Sequence, residues 1–489
     1  TEFASTETWD VVIVGMGAVG SMAAAFAAGA GLKTLVIEKT EVQPMNPADI
    51  LAVNAKVLQD MGFEAPSYDA YMNSVLTTGN YRVNIPKVAT LYQKSGEAFD
   101  WIYENAIHPA GITAAPSYPK YDKGMTEGWT PIINSVVNWE HGQEDLVAVH
   151  TAVADYAVEH GAEVRFSTPA VQLVQAESGE VTGVVAKNEA GEYVKLEATR
   201  GVILATGGYA ANMERMKTHM RLRDCCTIAA VQFVNVGVTG DGHEMGLAVG
   251  ASESEIPQSA AINNYGLVDS HTIALPFLAL PWVRVNEKGR RFANEGVPFN
   301  FLASAIVRQP RGTCWSLFDG NFVESAKNFL KSPFVDSNQA LLGVVTPEFV
   351  DQYVQDGVVI KADSLDELAQ LTGMDAALLK ETCAQVSADA AEGTDPVFGN
   401  ECLYPLDTPP FYAVHEGTTL LNTCGGLNSD EWGRVMTVED EVIPGLYAVG
   451  DCAGGIWDGG LYTHQCYGAD WGSGITFAYL AVQDIVANA

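Results

Sequence analysis

Short apolar runs near the start of the chain flank one segment of small residues. Trp9 to Val14 form a β-branched run typical of a buried parallel strand. An alanine-rich segment follows and extends to about Gly31, as in a tightly packed helix. A second apolar run, Thr34 to Ile37, ends at Glu38. The pattern therefore predicts a βαβ unit that ends in an acidic residue.

The turn between the first strand and the helix contains three glycines with a specific spacing. Gly15 permits a tight turn, Gly17 lets the backbone approach a pyrophosphate, and Gly20 brings the helix against the strand. The helix N-terminus favours the negative charge of the phosphates. Glu38, 23 positions after Gly15, can accept hydrogen bonds from both ribose hydroxyls. This unit predicts a dinucleotide site, to which we also assign the neighbouring residues Ala18, Val19 and Lys39.

Two more strands of this kind lie far along the chain and distinguish between dinucleotides. Gly201 to Ala205 lead into Thr206 and Gly207, and Ile443 to Val449 end in Gly450-Asp451. A carboxylate at that strand end can accept a hydrogen bond from a ribityl hydroxyl. NAD does not require the two ends of a chain to meet, whereas extended FAD suits such a closure. We therefore predict FAD, with Ala205, Thr206, Gly207, Gly450 and Asp451 among its contacts.

Composition excludes several classes of function. The 489 residues are 47% hydrophobic and 18% charged, as in a globular protein of two domains. We see no apolar run long enough to span a membrane, and a net charge of −33 without basic runs disfavours nucleic acid. The eight cysteines have no metal-site spacing, so no metal is expected. The chain begins at Thr1, which fits either a removed leader or a trimmed sequence, and the compartment stays undecided between cytoplasmic and exported.

Several further motifs follow in the order found in one flavoprotein family. They are Ala205-Thr206-Gly207-Gly208, Thr239-Gly240-Asp241-Gly242, Gly289-Arg290-Arg291-Phe292-Ala293-Asn294-Glu295, Pro409-Pro410-Phe411-Tyr412 and Cys424-Gly425-Gly426-Leu427. With the two chain ends, they resemble the family that contains soluble fumarate reductases, succinate dehydrogenase flavoprotein subunits and 3-ketosteroid dehydrogenases. The resemblance runs nearly from end to end.

The resemblance implies an α/β fold with two parts. A Rossmann-like FAD-binding domain would be built from residues 1–255 and 396–489, with an inserted α+β cap domain over 256–395. The substrate would lie between the cap and the flavin ring. The His that carries covalent flavin in succinate dehydrogenases is missing, so we expect non-covalent FAD. The remaining predicted cofactor contacts are Asp241, Ile475, Asn46 and Asn54. The two asparagines stand where the family has a run of Ser/Thr and Gly-Gly.

The chain departs from the family at the positions that recognise substrate. Fumarate reductases have a proton-delivering Arg where this sequence has Phe299, and a carboxylate-binding Arg that aligns with about Gln465. Losing two guanidinium groups removes bidentate recognition of a dicarboxylate. The pattern is closer to the 3-ketosteroid dehydrogenases, which have a proton-abstracting Tyr at the position of Phe299. We therefore reject fumarate and succinate as substrates and expect the proton chemistry to be reassigned.

The densest set of titratable side chains lies directly after the Gly-Asp strand, between Trp457 and Gly468. His464 can move protons near neutral pH, and Tyr462 or Tyr467 can donate to an oxyanion. The resemblance places at Gly468 the amide that holds a substrate carbonyl. Tyr265, in the cap, is a further catalytic candidate. For each side chain, packing is the alternative interpretation. We also weigh Arg284 and Arg291 as substrate contacts, although Arg291 fits better beside Glu295.

The sequence thus predicts an FAD-dependent oxidoreductase acting on a carbon–carbon bond beside a carbonyl in a neutral, cyclic or aromatic substrate. It works either by enone-type reduction or by the reverse dehydrogenation. Two alternatives stay open: an oxidase or dehydrogenase of an alcohol carbon, and a non-catalytic electron-relay flavoprotein. The expected partners are a small-molecule substrate and an unidentified electron donor or acceptor.

Overall fold

The computed structural model describes residues 3–44, 49–79, 81–116, 136–140, 143–221, 228–231, 237–258, 260–268, 276–297, 299–332, 335, 339–454, 456–457 and 468–488. The strands, in chain order, are β1 Ser5–Val14, β2 Thr34–Ile37, β3 Ile50–Leu51, β4 Ala114–Pro116, β5 Val136–Trp139, β6 Glu163–Arg165, β7 Ala170–Gln175, β8 Val181–Lys187, β9 Tyr193–Leu204, β10 Ile228–Val231, β11 Ala260–Leu267, β12 Val283–Val285, β13 Cys314–Asp319, β14 Val359–Ala362, β15 Phe411–Thr423, β16 Arg434–Met436 and β17 Val442–Ala448.

The α-helices are α1 Ala18–Gly29, α2 Lys56–Asp60, α3 Tyr68–Thr78, α4 Ile85–Ile102, α5 Gln143–Glu159, α6 Met213–His219, α7 Asp241–Ala248, α8 Phe299–Ile306, α9 Phe322–Ser325, α10 Pro347–Gln355, α11 Leu365–Thr372, α12 Ala376–Glu392 and α13 Ala469–Ala487. Short π or 3₁₀ segments are Tyr103–Ile107, His108–Ala110, Pro276–Ala279, Pro310–Gly312, Ala326–Lys331, Gln339–Val344 and Gly450–Cys452. Among the described helices, none has both the length and the apolarity that crossing a bilayer requires.

The first sheet joins the two ends of the chain. Its strand order is β16-β17-β9-β1-β2-β6, and β7 and β8 extend it from β9. The strands β6, β2, β1, β9 and β17 are all parallel. Only β9 separates β1, near the start of the chain, from β17, near its end. The predicted βαβ unit and the predicted closure by the last strand are therefore confirmed, as is the Rossmann-like α/β fold.

Both faces of this sheet are covered, as the apolar character of its strands requires. Val11 and Ile13 point to one face and pack into a core that includes α1, α4, α5 and α13. Val12 and Val14 point to the opposite face and pack against β7, β8 and Leu427. The apolar runs in β1 and β2 are continuous because alternate residues enter two different cores.

The second sheet is built around one long strand. Strand β15 pairs with β10, β11, β13 and β14, and β12 pairs with β13. Its aromatic core contains Trp282, Phe318, Phe329 and Tyr404, all of them buried. Short strands β3, β5 and β4 form a third sheet.

The second sheet includes strands from both sides of the predicted cap at 256–395. Strand β10 precedes that range and β15 follows it, and both pair within this sheet. The sequence gives no sign of this, because β15 is an apolar strand like those of the first sheet. The division into an FAD-binding domain and a cap stays a prediction, and drawing it by sheet pairing would widen the cap.

Candidate cofactor site

The carboxyl ends of four parallel strands meet at one edge of the first sheet. Val14 is level with Ile37 on one side and with Leu204 on the other, and Leu204 is level with Ala448. The segments that follow these strands therefore converge, as expected for ligand sites in open α/β sheets. They enclose a cavity with an empty volume of about 1140 Å³.

The glycine turn leaves room for a ligand at the start of α1. Gly15 has a φ of +105°, and a Cβ there would lie 2.4 Å from the carbonyl oxygen of Ala205. A Cβ on Gly20 would lie 2.0 Å from the Gly15 oxygen, so this glycine sets the approach of helix to strand. A Cβ on Gly17 would meet no atom within 4 Å. The space in front of the helix N-terminus is therefore open on the cavity side, which fits a pyrophosphate.

Glu38 is held in place by backbone and hydroxyl donors. Its Oε2 accepts from the Met16 amide at 2.8 Å, and its Oε1 accepts from the Thr40 amide and Oγ1, both at 2.9 Å. The residue is 5% exposed and lines the cavity. A carboxylate fixed in this way can still accept hydrogen bonds from ribose hydroxyls, because each of its oxygens has more than one acceptor site.

A lysine and an aspartate form an ion pair on the same wall. Lys39 Nζ lies 2.6 Å from Asp241 Oδ2 and 2.7 Å from Thr239 Oγ1, which donates to Asp241 Oδ1 at 2.8 Å. The pair joins the segment after β2 to the start of α7. Both side chains line the cavity beside Glu38, and because their charges cancel, the pair adds little net charge there.

Two carboxyl groups face each other at the far end of the cavity. Asn422 Nδ2 lies 2.7 Å from Asp470 Oδ2 and 3.2 Å from Asp451 Oδ1. Burial, and then the neighbouring Asp470 carboxylate, raise the pKa of Asp451 well above its usual range. Burial also raises the pKa of Asp470, although hydrogen bonds from Asp451 and Asn422 oppose that rise. Because two neighbouring carboxylates repel each other, one carboxyl of such a pair keeps its proton at a pH where an isolated carboxyl would lose it.

Most predicted cofactor residues lie around this one cavity. Its wall contains Gly15, Gly17, Ala18, Val19, Glu38, Lys39, Ala205, Thr206, Gly207, Asp241, Gly450 and Asp451. Three others do not line it. Gly20 packs on Gly15, Ile475 is buried in the core of α13, and Asn54 lines a separate surface groove with Trp101 and Tyr479. Asn46 lies outside the described residues.

Three of the catalytic candidates, His464, Tyr462 and Tyr467, also lie outside the described residues. Gly468 precedes α13, has a φ of +67°, and accepts a hydrogen bond from the Leu51 amide at 2.9 Å. A Cβ there would lie 2.6 Å from the Asp49 oxygen, so only glycine fits. Tyr265 lies in β11, whose main chain pairs with β15. The catalytic roles stay predictions.

Sequence reasoning missed several residues of the cavity wall. Asp470 and Trp471, in the first turn of α13, line it, as do Thr40 and Thr168. Asp470 was recognisable in principle, because it is a charged residue inside a stretch of small and apolar residues at the start of a buried helix. Thr168 had no such signal, since only the pairing of β6 with β2 brings it to this edge.

The buried arginines of the second unit, by which we mean the second sheet and its loops, are engaged with carboxylates. Arg284 Nε lies 2.5 Å from Glu416 Oε1, and both side chains are fully buried. Arg291 pairs with Glu295 at 2.6 Å and with Asp395 at 2.8 Å. The expectation that Arg291 pairs with Glu295 is confirmed. These guanidinium groups are therefore part of the internal structure of the second sheet and its loops.

Comparison with known proteins agrees with the architecture of this site. The family model described as FAD binding domain matches residues 10–461. A fumarate reductase (cytochrome) of Shewanella frigidimarina is 26% identical over 467 residues, covering 92% of this chain and 73% of that protein. A vinyl phenol reductase of Lactiplantibacillus plantarum is 24% identical over 473 residues, covering 93% and 91%.

Among solved structures, a 3-ketosteroid Δ1-dehydrogenase from Sterolibacterium denitrificans superposes with a TM-score of 0.75 at 20% identity, covering 99% of this chain and 100% of that one. At this identity the likeness shows the fold. The family match spans almost the whole chain and includes the carboxyl ends of all four strands that form the cavity. The chain therefore belongs to the FAD binding domain family and is an FAD-dependent oxidoreductase of the fumarate reductase type.

Proposed function

We propose that this oxidoreductase acts on a carbon–carbon bond beside a carbonyl in a neutral, cyclic or aromatic substrate. It would reduce an enone-type double bond or form one by the reverse dehydrogenation, and fumarate would not be its substrate. Bound FAD supplies the atom that exchanges hydride with the substrate carbon. The chain's own residues must position the substrate, hold its carbonyl oxygen and move one proton.

One observation carries this proposal: the family's carboxylate-binding Arg positions hold other residues here, and the buried arginines in the described part of the chain are already paired with carboxylates. Position 299, where the resemblance expects an Arg, is a Phe at the first position of α8. Arg284 is neutralised by Glu416, and Arg291 by Glu295 and Asp395. Breaking such a buried pair to bind a substrate carboxylate would cost about 3–5 kcal/mol. A dicarboxylate would therefore bind poorly.

The relatives differ in the substrates that their names give. The Shewanella relative is a fumarate reductase, whereas the Lactiplantibacillus relative is a vinyl phenol reductase, whose substrate is aromatic and has no carboxylate. Both are similarly distant from this chain, so overall identity does not choose between them. The paired arginines favour a substrate without a carboxylate, a property that the second relative's substrate has; the carbonyl is proposed from the resemblance to 3-ketosteroid dehydrogenases.

The proton and the carbonyl oxygen are assigned to the segment before α13. We propose that the Gly468 amide binds the carbonyl oxygen, that His464 moves the proton, and that Tyr462 or Tyr467 donates to the developing enolate. Tyr265, from β11, would approach from the cap. The substrate would then lie between cap and flavin, and a separate donor or acceptor would exchange electrons with FAD.

A steady-state assay tests the substrate class. Purified protein is given a reduced viologen as electron donor, without oxygen, and either cyclohex-2-enone, an aromatic enone or fumarate. We expect kcat/KM for at least one neutral substrate to exceed that for fumarate by about 100-fold or more, because a lost bidentate contact costs about 3 kcal/mol. Fumarate turnover as fast as that of any neutral substrate would refute the proposal.

A second, simpler experiment tests the proposed non-covalent attachment. The protein is precipitated with acid, and the yellow colour is followed. We expect all of the flavin in the supernatant. Flavin that stays with the precipitated protein would overturn this part of the proposal without affecting the substrate class.

A further inference from the structure

The carboxyl pair lies in a wall between two cavities. Asp451 and Asp470 line the cofactor cavity, and both also line a second, smaller cavity with an empty volume of about 410 Å³. The second cavity lies beyond the pair, toward α4, and Lys87 and Ser429 contribute its polar lining. The pair is thus placed between the cofactor and a buried polar space.

The hydrogen bonds indicate which carboxyl keeps the negative charge. Asn422 Nδ2 donates its shortest bond, 2.7 Å, to Asp470, while both of its contacts with Asp451 exceed 3 Å, at 3.2 and 3.3 Å. Asp470 also lies in the first turn of a 19-residue helix, where the helix dipole favours a negative charge. Asp470 is therefore the better carboxylate, and Asp451 the better carboxylic acid.

The buried ammonium group of Lys87, on the far side of the pair, is balanced by one carboxylate and not by two. Lys87 is 2% exposed and donates to Ser429 Oγ at 2.9 Å and to the Gly454 oxygen at 2.7 Å. One buried ammonium is balanced by a singly charged pair. The other described titratable groups lining the two cavities are Cys424 in the small cavity and Glu38, Lys39 and Asp241 in the large one. Lys39 and Asp241 form an ion pair with each other.

We propose that Asp451 and Asp470 act as one acid–carboxylate unit that holds a single proton beside FAD, and that the protein loses affinity for FAD when this proton is lost. Asp470 is a positioning residue in this account: it keeps Asp451 protonated. Asp451 then donates a hydrogen bond toward the cofactor, which replaces the acceptor role expected from the sequence. Losing the proton removes that donor and places a second negative charge next to a cofactor that carries two phosphates.

The direction of the pH dependence follows from linkage. Burial and the neighbouring charge raise the pKa of Asp451 in the folded protein, and a bound FAD removes more water and raises it further. The affinity for FAD is therefore highest at low pH and falls as pH rises through the pKa of the pair in the FAD-free protein. When Asp451 is the only carboxyl present, the fall is expected at lower pH, because burial still raises its pKa but the neighbouring carboxylate no longer does.

The test measures the dissociation constant of FAD by fluorescence quenching from about pH 6 to about pH 10. For the wild-type protein we expect the constant to rise by up to about tenfold per pH unit above the pKa of the pair. Asp470→Asn keeps a hydrogen-bonding side chain and should move this rise to lower pH, whereas Asp451→Asn, which keeps a donor but removes the titrating group, should give a profile without it. Glu97→Gln, in the separate groove, is the matched control and should keep the wild-type profile.

A flat wild-type profile, or an unchanged rise in Asp470→Asn, overturns the proposal. Infrared spectroscopy gives an independent measurement on the wild-type protein alone. We expect the C=O band of a protonated carboxyl at neutral pH, shifted in D₂O and sensitive to FAD. If the variants fail to fold, the absence of a carboxyl band that changes on FAD binding overturns the proposal, and the presence of such a band supports it, because the buried Glu416 and Asp319 carboxyls lie in the second unit.

Discussion

The first unit, meaning the first sheet with its helices, treats charge at its cofactor cavity in the opposite way to the interior of the second unit. In the second unit, carboxylates face guanidinium groups, as in Arg284–Glu416 and in the cluster of Arg291 with Glu295 and Asp395. At the end of the first sheet, Glu38 accepts from neutral backbone donors, and Asp451 faces another carboxyl. Charges that are neutralised internally stabilise structure, whereas those left next to a cavity act on what enters it.

The largest effect is expected from breaking a pair in the second unit. Arg284→Met leaves the buried Glu416 carboxylate without its partner and should destabilise the protein by about 3–5 kcal/mol. The double variant Arg284→Met/Glu416→Leu should recover most of that loss. Thermal unfolding measures both effects, and the FAD content of the folded protein should not change. A single variant as stable as the wild type would show that this pair is not structural.

A substitution in the glycine turn of the first unit should lower the affinity for FAD and leave the stability of the fold unchanged. Gly17→Val adds a side chain in open space, so the fold is kept, but the branches occupy the approach to the amides of α1. We expect the affinity for FAD to fall by about 100-fold, the equivalent of one to two charge-assisted hydrogen bonds. Gly343→Ala, at another open position, is the control. Unchanged FAD affinity in Gly17→Val would remove the turn from the cofactor site.

A smaller loss of affinity is expected at the ribose end. Glu38→Gln replaces a carboxylate that accepts from three donors, and one side of the new amide can only donate. The affinity for FAD should fall by about tenfold, or about 1.4 kcal/mol. The measurement is the same titration, with Glu41→Gln as the control. A variant that binds FAD as tightly as the wild type would contradict the ribose assignment.

The smallest effect is expected for an ion pair of the first unit, Glu7 with Arg165, and it tests whether such a pair contributes to stability there. A hydrogen bond from Arg165 lowers the pKa of Glu7 below its ordinary value of 4.5. The stabilisation is therefore present above about pH 4.5 and is lost as pH falls through the folded-state pKa. Because the pair is partly exposed, it contributes less than about 1 kcal/mol. Glu7→Gln should lower stability at pH 7 and flatten the acid limb; an unchanged limb contradicts this.

The sequence predicted the first sheet well because its signals are local. The strand at Thr34–Ile37 has the bounds expected from its apolar run, and the glycine spacing located the turn before α1. The strand after Val442 was recognisable by its apolar run and its Gly-Asp end. Each feature is set by residues within about ten positions of one another, which is the range over which such patterns are informative.

The rest depends on contacts between distant residues. The partnership of Asp470 with Asp451 is made by the Asn422 side chain on β15, a strand of the other sheet. Nothing in the order of the sequence brings these three together. Ile475 was predicted as a cofactor contact, and the structure places its side chain in the core around α13. The extent of the second sheet was equally hidden, because β10 and β15 lie 180 residues apart.

The central claim is that this FAD site passes hydride to or from a neutral substrate with a carbonyl beside the reacting bond. Single-turnover mixing tests it most directly: the enzyme is photoreduced without oxygen and then mixed with cyclohex-2-enone, an aromatic enone, fumarate or oxygen, and the flavin absorbance is followed. We predict that a neutral acceptor reoxidises the flavin faster than fumarate or oxygen does. Reoxidation led by fumarate would contradict the claim, and reoxidation led by oxygen would make the protein an oxidase.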